Sequence, residues 1–335
     1  MENRTVFAEE RALDLISIGR LAVDLYANQY GCNLEDVSSF AKYLGGSSGN
    51  VAFGCARLGL KRAMITRVGD EQMGRFLIKT LAAEGCDVSQ IRIDRKRRTA
   101  LAILGIKDRQ TFPLLFYREN CADMAFCAND VDESFVARAR ALHITGTHFS
   151  TTRVRGGSLQ ALHYARQHNV RTIFDIDYRP VLWGLTVPGD GETRFIPSAA
   201  VTRQLQEVLG WFDLIVGTEE EFKIVGGQSE LMASLCVVRE KTAATLVVKL
   251  GPLGCAVIEG DIPERIDDAF SIPSPSVEVL NVLGAGDAFL SGFLSAWLRG
   301  MDYAACCRRA NASGALVVSR HACAPAMPTE AELRH

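Results

Sequence analysis

Short apolar runs alternate with helical patterns along almost the whole chain. Six runs end near a glycine, an aspartate or another polar residue, as buried strands do: residues 13–19, 63–69, 141–149, 170–177, 211–217 and 245–251. Between the runs, apolar residues recur at helical spacing and predict helices over residues 47–59, 71–85, 157–168, 199–209 and 230–241. This alternation predicts a mostly parallel central sheet with helices on both faces. Ligands of such a sheet gather at the carboxyl ends of its strands.

Two segments interrupt this rhythm. Residues 21–44 leave the first strand without a helical pattern, and residues 98–118 alternate and turn through "KDRQ" like a hairpin. The segments either meet as one small antiparallel sheet, a candidate lid, or are two unrelated surface loops, and the pattern leaves both open. We expect a single domain over residues 13–328, with loosely held tails at residues 1–12 and 329–335.

Composition narrows the class of protein. The 335 residues are 48% hydrophobic and 23% charged, with a formal net charge of −2, which is typical of a soluble globular protein. This balance argues against a nucleic-acid or membrane-surface partner, and the short basic run at 92–98 contains an aspartate and indicates a solvated turn. The ten cysteines form no ligand cluster, and no secretory signal is apparent, so we expect reduced thiols and a cytoplasmic protein.

The stretch "NVLGAGDAFLSGFLSAWL", residues 281–298, is the main candidate for chemistry. Its apolar spacing predicts a helix that begins near Ala285 and Gly286. The small residues from Gly284 onward would let an anion approach the unpaired N–H groups of the first turn. Asp287 would then stand where a carboxylate can take a proton from a hydroxyl that attacks phosphate. The simpler interpretation is that Asp287 only starts a helix and that the glycines make a turn.

A second glycine-rich stretch, "GGSSGNVAFGCARLGL" at residues 45–60, also begins a helical pattern. It does not follow the first strand and lacks the Gly-x-Gly-x-x-Gly spacing, which argues against a dinucleotide-binding dehydrogenase. Gly45, Gly46 and Asn50 would let a small polyhydroxy molecule reach backbone groups, and Asp24 would accept hydrogen bonds from its hydroxyls. Each of these residues, taken singly, also fits a turn or a cap.

Together the two stretches resemble the two signatures of the PfkB (ribokinase-like) carbohydrate kinases. "GGSSGNVAFGCARLG…RVGDEQMG" resembles the first and "NVLGAGDAF" the second, within a similarity over roughly residues 14–328. The resemblance implies a three-layer α/β sandwich with a small β-sheet lid, and transfer of phosphate from ATP, with Mg²⁺, to a sugar hydroxyl. In it, Asp287 is the base, the amides of residues 284–287, which include Gly284, Ala285 and Gly286, hold the γ-phosphate, and the sugar is oriented by Asp24, Gly45, Gly46 and Asn50.

The resemblance also implies a nucleotide end of the site. The family's Asn-x-x-Glu falls at "VGTEEEF" (216–222), where the glutamate is matched but Gly217 replaces the asparagine. Asn281 stands where the signature more often has aspartate, a place linked to monovalent-cation binding, and leaves potassium dependence open. The sequence assigns no metal ligand. The implicated cofactor-binding residues are Glu220, Lys249, Gly251, Gly254 and Asn311.

Two arginines bear on the substrate. Arg179 ends a strand in "FDIDYRPVLWG", and Arg118 ends the second lid segment. Paired guanidinium donors match a carboxylate and favour a sugar acid, although each arginine would equally suit a surface ion pair.

The segment around Arg179 resembles sugar-acid kinases of the family. With "EVLNVLGAGDAF" (278–289), it implies 5-dehydro-2-deoxy-D-gluconate of myo-inositol breakdown as acceptor, ahead of 2-keto-3-deoxygluconate and then fructose or ribose. A catalytically silent sugar sensor is the alternative of another class. A homodimer through the lid is an assembly that the resemblance allows.

Overall fold

The structure is a computed structural model that describes residues 1–3, 5–7, 11–108, 111–187, 189–191 and 193–334. The strands in these residues are β1 Leu13–Ile18, β2 Ala22–Tyr30, β3 Phe40–Gly45, β4 Arg62–Gly69, β5 Ile91–Asp94, β6 Ala100–Ile106, β7 Leu114–Tyr117, β8 Ala139–Thr145, β9 Arg171–Asp175, β10 Leu214–Thr218, β11 Thr245–Lys249, β12 Cys255–Ile258 and β13 Phe270–Ile272. The helices are α1 Ser47–Arg57, α2 Gln72–Ala83, α3 Glu133–Val136, α4 Thr152–Gln167, α5 Ala199–Gln206, α6 Glu219–Gly226, α7 Leu231–Lys241, α8 Ala285–Trp297 and α9 Tyr303–Val318.

A nine-stranded sheet forms the centre of the described chain, in the order β13-β12-β11-β10-β9-β8-β1-β4-β5. The six strands expected from the apolar runs are β1, β4, β8, β9, β10 and β11, and they are consecutive neighbours in the sheet, all paired parallel. At one edge, β12 and β13 continue the sheet as an antiparallel pair. The predicted fold class is therefore confirmed.

Both faces of the sheet are buried, which explains why its strands are apolar at nearly every position. In β1, Leu15 belongs to a hydrophobic cluster with α1, α8 and α9, while Ile16 belongs to a cluster with α3 to α7 on the other face. Both side chains are completely buried. The result is a three-layer arrangement in which the carboxyl ends of the parallel strands share one edge.

The two interrupting segments meet in a separate four-stranded sheet, in the order β3-β2-β6-β7. β2 pairs antiparallel with β3 and parallel with β6, and β7 pairs antiparallel with β6. The two segments therefore form one small sheet rather than separate loops, although the sheet is mixed and not purely antiparallel as expected. The tip of the predicted turn, residues 109 and 110, lies outside the described residues.

Some element boundaries differ from those expected. α4 begins at Thr152, five residues before the predicted start, because Thr151 caps it and because Gly157 sits inside the helix, where any side chain would overlap the Phe126 ring. The predicted strand 141–149 ends at Thr145 and continues as a 3₁₀ turn. α6 was missed because three successive glutamates gave no apolar pattern.

The described part of the C-terminal tail does not fit the expectation of a loosely held segment. Glu330 accepts hydrogen bonds from Arg309, with Nη2 to Oε2 at 2.5 Å, and pairs with Arg299 at 3.4 Å. At the other end of the chain, Phe7 packs edge-on against Trp297. Residues 4, 8–10 and 335, which also belong to the predicted tails, lie outside the described residues.

No helix in the described part of the chain is long and apolar enough to cross a membrane. All ten cysteines are free thiols.

Candidate active site

Helix α8 begins at Ala285, as the sequence predicted. Its N-cap residue Gly284 has the left-handed φ of 82°, and any side chain on it would overlap the Cys323 sulfur. No side chain caps this helix, and the amides of Gly286 and Asp287 donate to no described residue. The start of α8 is therefore a cluster of unpaired N–H donors at the positive end of the helix dipole, which favours an anion.

Asp287 lies in the first turn of α8, and its carboxylate faces the cavity in front of the helix. Asn50 on α1 donates a 2.8 Å hydrogen bond from its amide to one carboxylate oxygen, Oδ2. Burial, with smaller contributions from the negative charges of Asp177 and Asp175, raises the pKa of Asp287 to about 7. A carboxylate in this state accepts a proton near neutral pH far more readily than an ordinary aspartate.

The lid contributes Asp24, which is 8% exposed on β2. Burial raises its pKa to about 7, although the positive charges of Arg20 and Arg118 act in the opposite direction. Gly45 on β3 must be glycine, because a Cβ there would overlap the Asp24 carboxylate. Gly46, with a φ of 85°, lets the start of α1 approach the Arg20 carbonyl, since a Cβ would lie 2.7 Å from that oxygen.

A cavity between the lid and the sheet brings Asp24 and Asp287 together with Arg179. Apolar side chains of the lid strands form its roof, and the helix starts of α1 and α8 form its floor. The lining residues are Arg20, Asp24, Tyr26, Gly46, Ser47, Asn50, Ala102, Leu104, Leu114, Phe116, Arg179, Arg194, Leu283, Gly284, Asp287 and Cys323.

A buried ion pair between Arg20 and Asp177 supports this cavity, and sequence reasoning missed it. The Arg20 guanidinium also donates to Ser47 at 2.9 Å, and Ser47 donates to Asp177 at 2.6 Å. Burial opposes ionisation of Asp177, yet Arg20 and Arg179 hold its pKa below the ordinary value, at about 2. The "FDID" string contained the signal, because its last aspartate lies two residues beyond the end of β9.

Lys249, at the end of β11, lies beside the start of α8. Its ammonium group donates to Asp175 at 3.2 Å and lies 3.8 Å from Glu221. It also lies 3.4 Å from where a Cβ of Gly286 would stand, so glycine there keeps the approach open. Burial alone would lower its pKa, but the two carboxylates raise it, and the lysine is a fixed positive charge.

The structure gives Glu220 and its neighbour Glu221 different surroundings. Glu220, the residue matched from the resemblance, is exposed, whereas its neighbour Glu221 is buried and accepts from the amides of Tyr178 and Thr218. Thr218 in turn accepts from the Glu221 amide, and this capping box turns Glu221 towards Lys249. Three consecutive glutamates could not be ranked from the sequence, because only the helix phase selects the inward one.

The other predicted nucleotide residues lie beyond Lys249, in the turn between β11 and β12 and on helix α9. Gly251 and Gly254 have φ of 58° and 102°, and a Cβ on Gly254 would overlap the Ile272 carbonyl. Asn311 on α9 is 4% exposed and donates to the carbonyls of Ile272 at 2.9 Å and Pro273 at 3.1 Å. Asn311 therefore fixes the loop that follows β13.

The two predicted arginines have different surroundings. Arg179 lines the cavity and lies 3.6 Å from Asp177. The expectation that Arg118 joins Arg179 at the substrate is corrected by the structure. Arg118 does not line this cavity but forms a buried ion pair with Asp123 at 2.6 Å. The cavity has instead Arg194, which the sequence analysis did not single out because no strand or motif marks it.

The described side chains do not form a ready metal-binding site. Among the residues that the structure describes, no group of three or more His, Cys, Asp or Glu side chains is placed to hold a metal ion. Asn281 is completely buried, and its amide is used internally: it donates to the Arg320 carbonyl and accepts from the Leu283 amide.

Comparisons with known proteins agree with this geometry. The sequence profile of the pfkB family carbohydrate kinases matches residues 12–330. The chain is 35% identical over 337 residues to 5-dehydro-2-deoxygluconokinase 1 of Bacillus cereus, covering 99% of this chain and 96% of the relative. The PfkB protein of Polaromonas sp. JS666 superposes with a TM-score of 0.80 at 28% identity, covering 96% and 99% of the two chains. An uncharacterized sugar kinase of Pyrococcus horikoshii, in complex with ATP, superposes with a TM-score of 0.78 at 26% identity, covering 96% of this chain and 99% of the neighbour.

Proposed function

The chain belongs to the pfkB family of carbohydrate kinases, and within it we propose that the protein transfers the γ-phosphoryl group of ATP to 5-dehydro-2-deoxy-D-gluconate. The product would be 6-phospho-5-dehydro-2-deoxy-D-gluconate. The observation that carries the proposal is a proton-accepting carboxylate, Asp287, beside an uncapped helix start and inside a cavity that also contains Asp24 and three arginines. The Bacillus cereus relative, named for this activity, supports the choice of acceptor.

Asp287 acts on the acceptor. The pKa of about 7 leaves a substantial fraction of the carboxylate unprotonated at neutral pH, and Asn50 holds one oxygen so that the other faces the cavity. The carboxylate takes the proton of the primary hydroxyl as its oxygen attacks the γ-phosphorus. The bond from this phosphorus to the bridging oxygen breaks, and ADP leaves with the electron pair of that bond on its terminal oxygen.

The start of α8 binds the group in transit. The unpaired amides of Gly286 and Asp287 would donate to the negatively charged oxygens of the transferred phosphoryl group, and Gly284 permits the turn that exposes these amides. This preorganised set of donors stabilises the transition state without having to reorient. The start of α8 also fits the γ-phosphate of a nucleoside triphosphate. We propose ATP as the donor because the Pyrococcus horikoshii neighbour is in complex with ATP.

Lys249 and the loop of Gly251 and Gly254 would hold the remainder of the nucleotide. The lysine's charge lies beside the helix start, where it can neutralise phosphate oxygens. We propose that Mg²⁺ enters as the MgATP complex, since the described carboxylates form no ready site and magnesium usually binds through phosphates and water. It would supply charge neutralisation for the phosphates.

Asp24 would orient the sugar from above by accepting hydrogen bonds from its hydroxyls. It is carried by the lid, so the lid position and sugar binding are coupled. The lid's apolar lining residues exclude water from the cavity, which limits hydrolysis of ATP in the absence of sugar.

The test is formation of ADP by the full-length protein with a panel of acceptors. We expect the highest kcat/KM with 5-dehydro-2-deoxy-D-gluconate, a lower value with 2-keto-3-deoxygluconate, and the lowest values with fructose and ribose. NMR of the product should show the phosphate on O6. Binding of sugar and ATP without ADP formation would instead identify a silent sensor, and a preference for neutral sugars would reject the sugar-acid assignment.

A further inference from the structure

Arg194 stands apart from the other charged residues of the cavity. It lines the cavity together with Asp24, Arg179 and Asp287, yet it forms no hydrogen bond or ion pair with any described residue. It is partly buried, and this burial, with a further contribution from the Arg179 charge, lowers its pKa to about 10, although the more distant charges of Glu221 and Asp177 act in the opposite direction. It is still protonated at neutral pH. A cation that has lost part of its water without gaining a partner is costly unless an anion binds to it.

The backbone on either side of Arg194 is held in place. Upstream, Gly191 packs so closely against the Leu114 carbonyl of lid strand β7 that any side chain there would overlap it. Downstream, the Ile196 carbonyl accepts a 2.6 Å hydrogen bond from the Tyr178 hydroxyl. Thr193 is fixed by two hydrogen bonds to the Asp190 carboxylate, at 3.0 and 2.7 Å. Arg194 therefore lies between Gly191, which packs against the lid, and Ile196, which is held by Tyr178.

The other arginines of the region already have partners. Arg20 is committed to Asp177 and Ser47, and Arg118 is committed to Asp123. Arg179 lies 3.6 Å from Asp177 and donates to the Tyr178 carbonyl at 2.8 Å. Arg194 is the cavity arginine whose guanidinium donors are unused among the described residues.

We propose that Arg194 binds the carboxylate of the sugar acid and thereby sets the preference of this kinase for acids over neutral sugars. This inference rests on the proposed function, because it requires a sugar acid as acceptor. A guanidinium offers paired N–H donors that match the two carboxylate oxygens. Arg179 supplies a second positive charge nearby, so one carboxylate relieves the repulsion between the two arginines. Because Gly191, close to Arg194 in the chain, packs against the lid, binding of the carboxylate is coupled to the lid, which carries Asp24.

The experiment compares Arg194→Met and Arg194→Lys in the full-length protein with Arg203→Met, which removes an exposed arginine of helix α5 nine positions further on. Steady-state kinetics are measured with 5-dehydro-2-deoxy-D-gluconate, 2-keto-3-deoxy-D-gluconate and D-fructose, and melting temperatures verify folding. We expect Arg194→Met to raise KM for the acids about 10- to 100-fold, as for a lost charged hydrogen bond, with little change in kcat. KM for fructose and for ATP should not change. Arg194→Lys should recover part of the acid affinity, and Arg203→Met should behave as wild type.

The outcomes separate the two proposals. A wild type that prefers acids, with an Arg194→Met variant that loses acids and fructose equally or loses neither, overturns the role of Arg194 and leaves the proposed function standing. A wild type that prefers fructose over both acids overturns the proposed function and this inference with it. If Arg194→Met does not fold, isothermal titration calorimetry measures the affinity of the Arg194→Lys protein for the acid. An affinity equal to that of the wild type would contradict binding of the carboxylate by paired guanidinium donors.

Discussion

The amide of Asn50 on α1 and the carboxylate of Asp287 on α8 are joined by a 2.8 Å hydrogen bond across 237 positions of the chain. The sequence suggested Asn50 as a sugar contact and Asp287 as a base, without any link between them. In the structure the two glycine-rich helix starts face each other, so one orients the reactive group of the other. The bond lowers the pKa of Asp287, which burial raises, and so tunes the proposed base.

Replacing Asp287 by Asn should lower kcat by about 10²–10⁴-fold, the usual contribution of a general base. The affinity for ATP should survive, because the amides at the start of α8 belong to the backbone. Rapid-quench measurement of the phosphoryl-transfer step, with ATP binding followed by calorimetry, checks both expectations. Near-normal turnover would remove Asp287 from the mechanism.

The acidic limb of the pH profile should report Asp287. Because its pKa is raised to about 7, kcat/KM should fall about tenfold per pH unit below that value as the carboxylate becomes protonated. Asn50→Ala removes a hydrogen bond that lowers this pKa and should move the limb to higher pH. Since Asp24 has a similar pKa, Asp24→Asn serves as the control. A limb that disappears in Asp24→Asn and is unmoved in Asn50→Ala would assign it to Asp24 instead.

We expect the buried Asp24 carboxylate to lower the stability of the folded protein at high pH while it contributes to sugar binding. Its folded-state pKa, about 7, lies above the ordinary value of 3.8, so its favourable contribution is complete below pH 3.8 and is lost as pH rises through 7. Each pKa unit corresponds to about 1.4 kcal/mol, which limits the gain from Asp24→Asn at pH 8 to roughly 4 kcal/mol. Melting curves should show a higher Tm for Asp24→Asn at pH 8 and a smaller difference at pH 5, while KM for the sugar rises. A Tm difference independent of pH would contradict the buried carboxylate.

Arg118 should prove to be structural. Arg118→Met leaves Asp123, which is completely buried, without its cation, and breaking such a pair costs about 3–5 kcal/mol. Chemical denaturation measures this loss, with Arg95→Met as the control, because Arg95 is 88% exposed and lies 3.8 Å from an exposed partner. Any residual activity should fall equally for acids and neutral sugars. A selective loss of sugar-acid activity without loss of stability would restore Arg118 to the carboxylate site.

The two glycines of the α8 start should respond differently. Gly284→Ala forces a side chain onto a residue with φ of 82° and against Cys323, so both folding and activity should be lost. Gly286→Ala adds a methyl 3.4 Å from the Lys249 ammonium, and we expect a near-normal Tm with kcat reduced by about tenfold or more. Equal behaviour of the two variants in Tm and kcat would argue against a phosphate site at Gly286.

A feature could be predicted from the sequence where it depends on residues close together in the chain. The start of α8 and the six parallel strands follow from patterns within one element, and these predictions are confirmed. The pairing of the two interrupting segments into one sheet joins separate elements, and the pattern left it open. The start of α4 was misplaced because Gly157 is explained only by a ring, Phe126, that arrives from elsewhere in the chain.

The sequence by itself determined the layered α/β fold and the start of α8 that carries Asp287, because hydrophobic periodicity and glycine-rich helix starts are local properties. Only the tertiary structure decided which charges are already paired. In the structure Arg118 pairs with Asp123, and Glu221 rather than Glu220 faces Lys249. Arg194 has no partner among the described residues of the cavity. The physical reason is that ion pairing and burial depend on distances between residues far apart in the chain, which no pattern along the sequence contains.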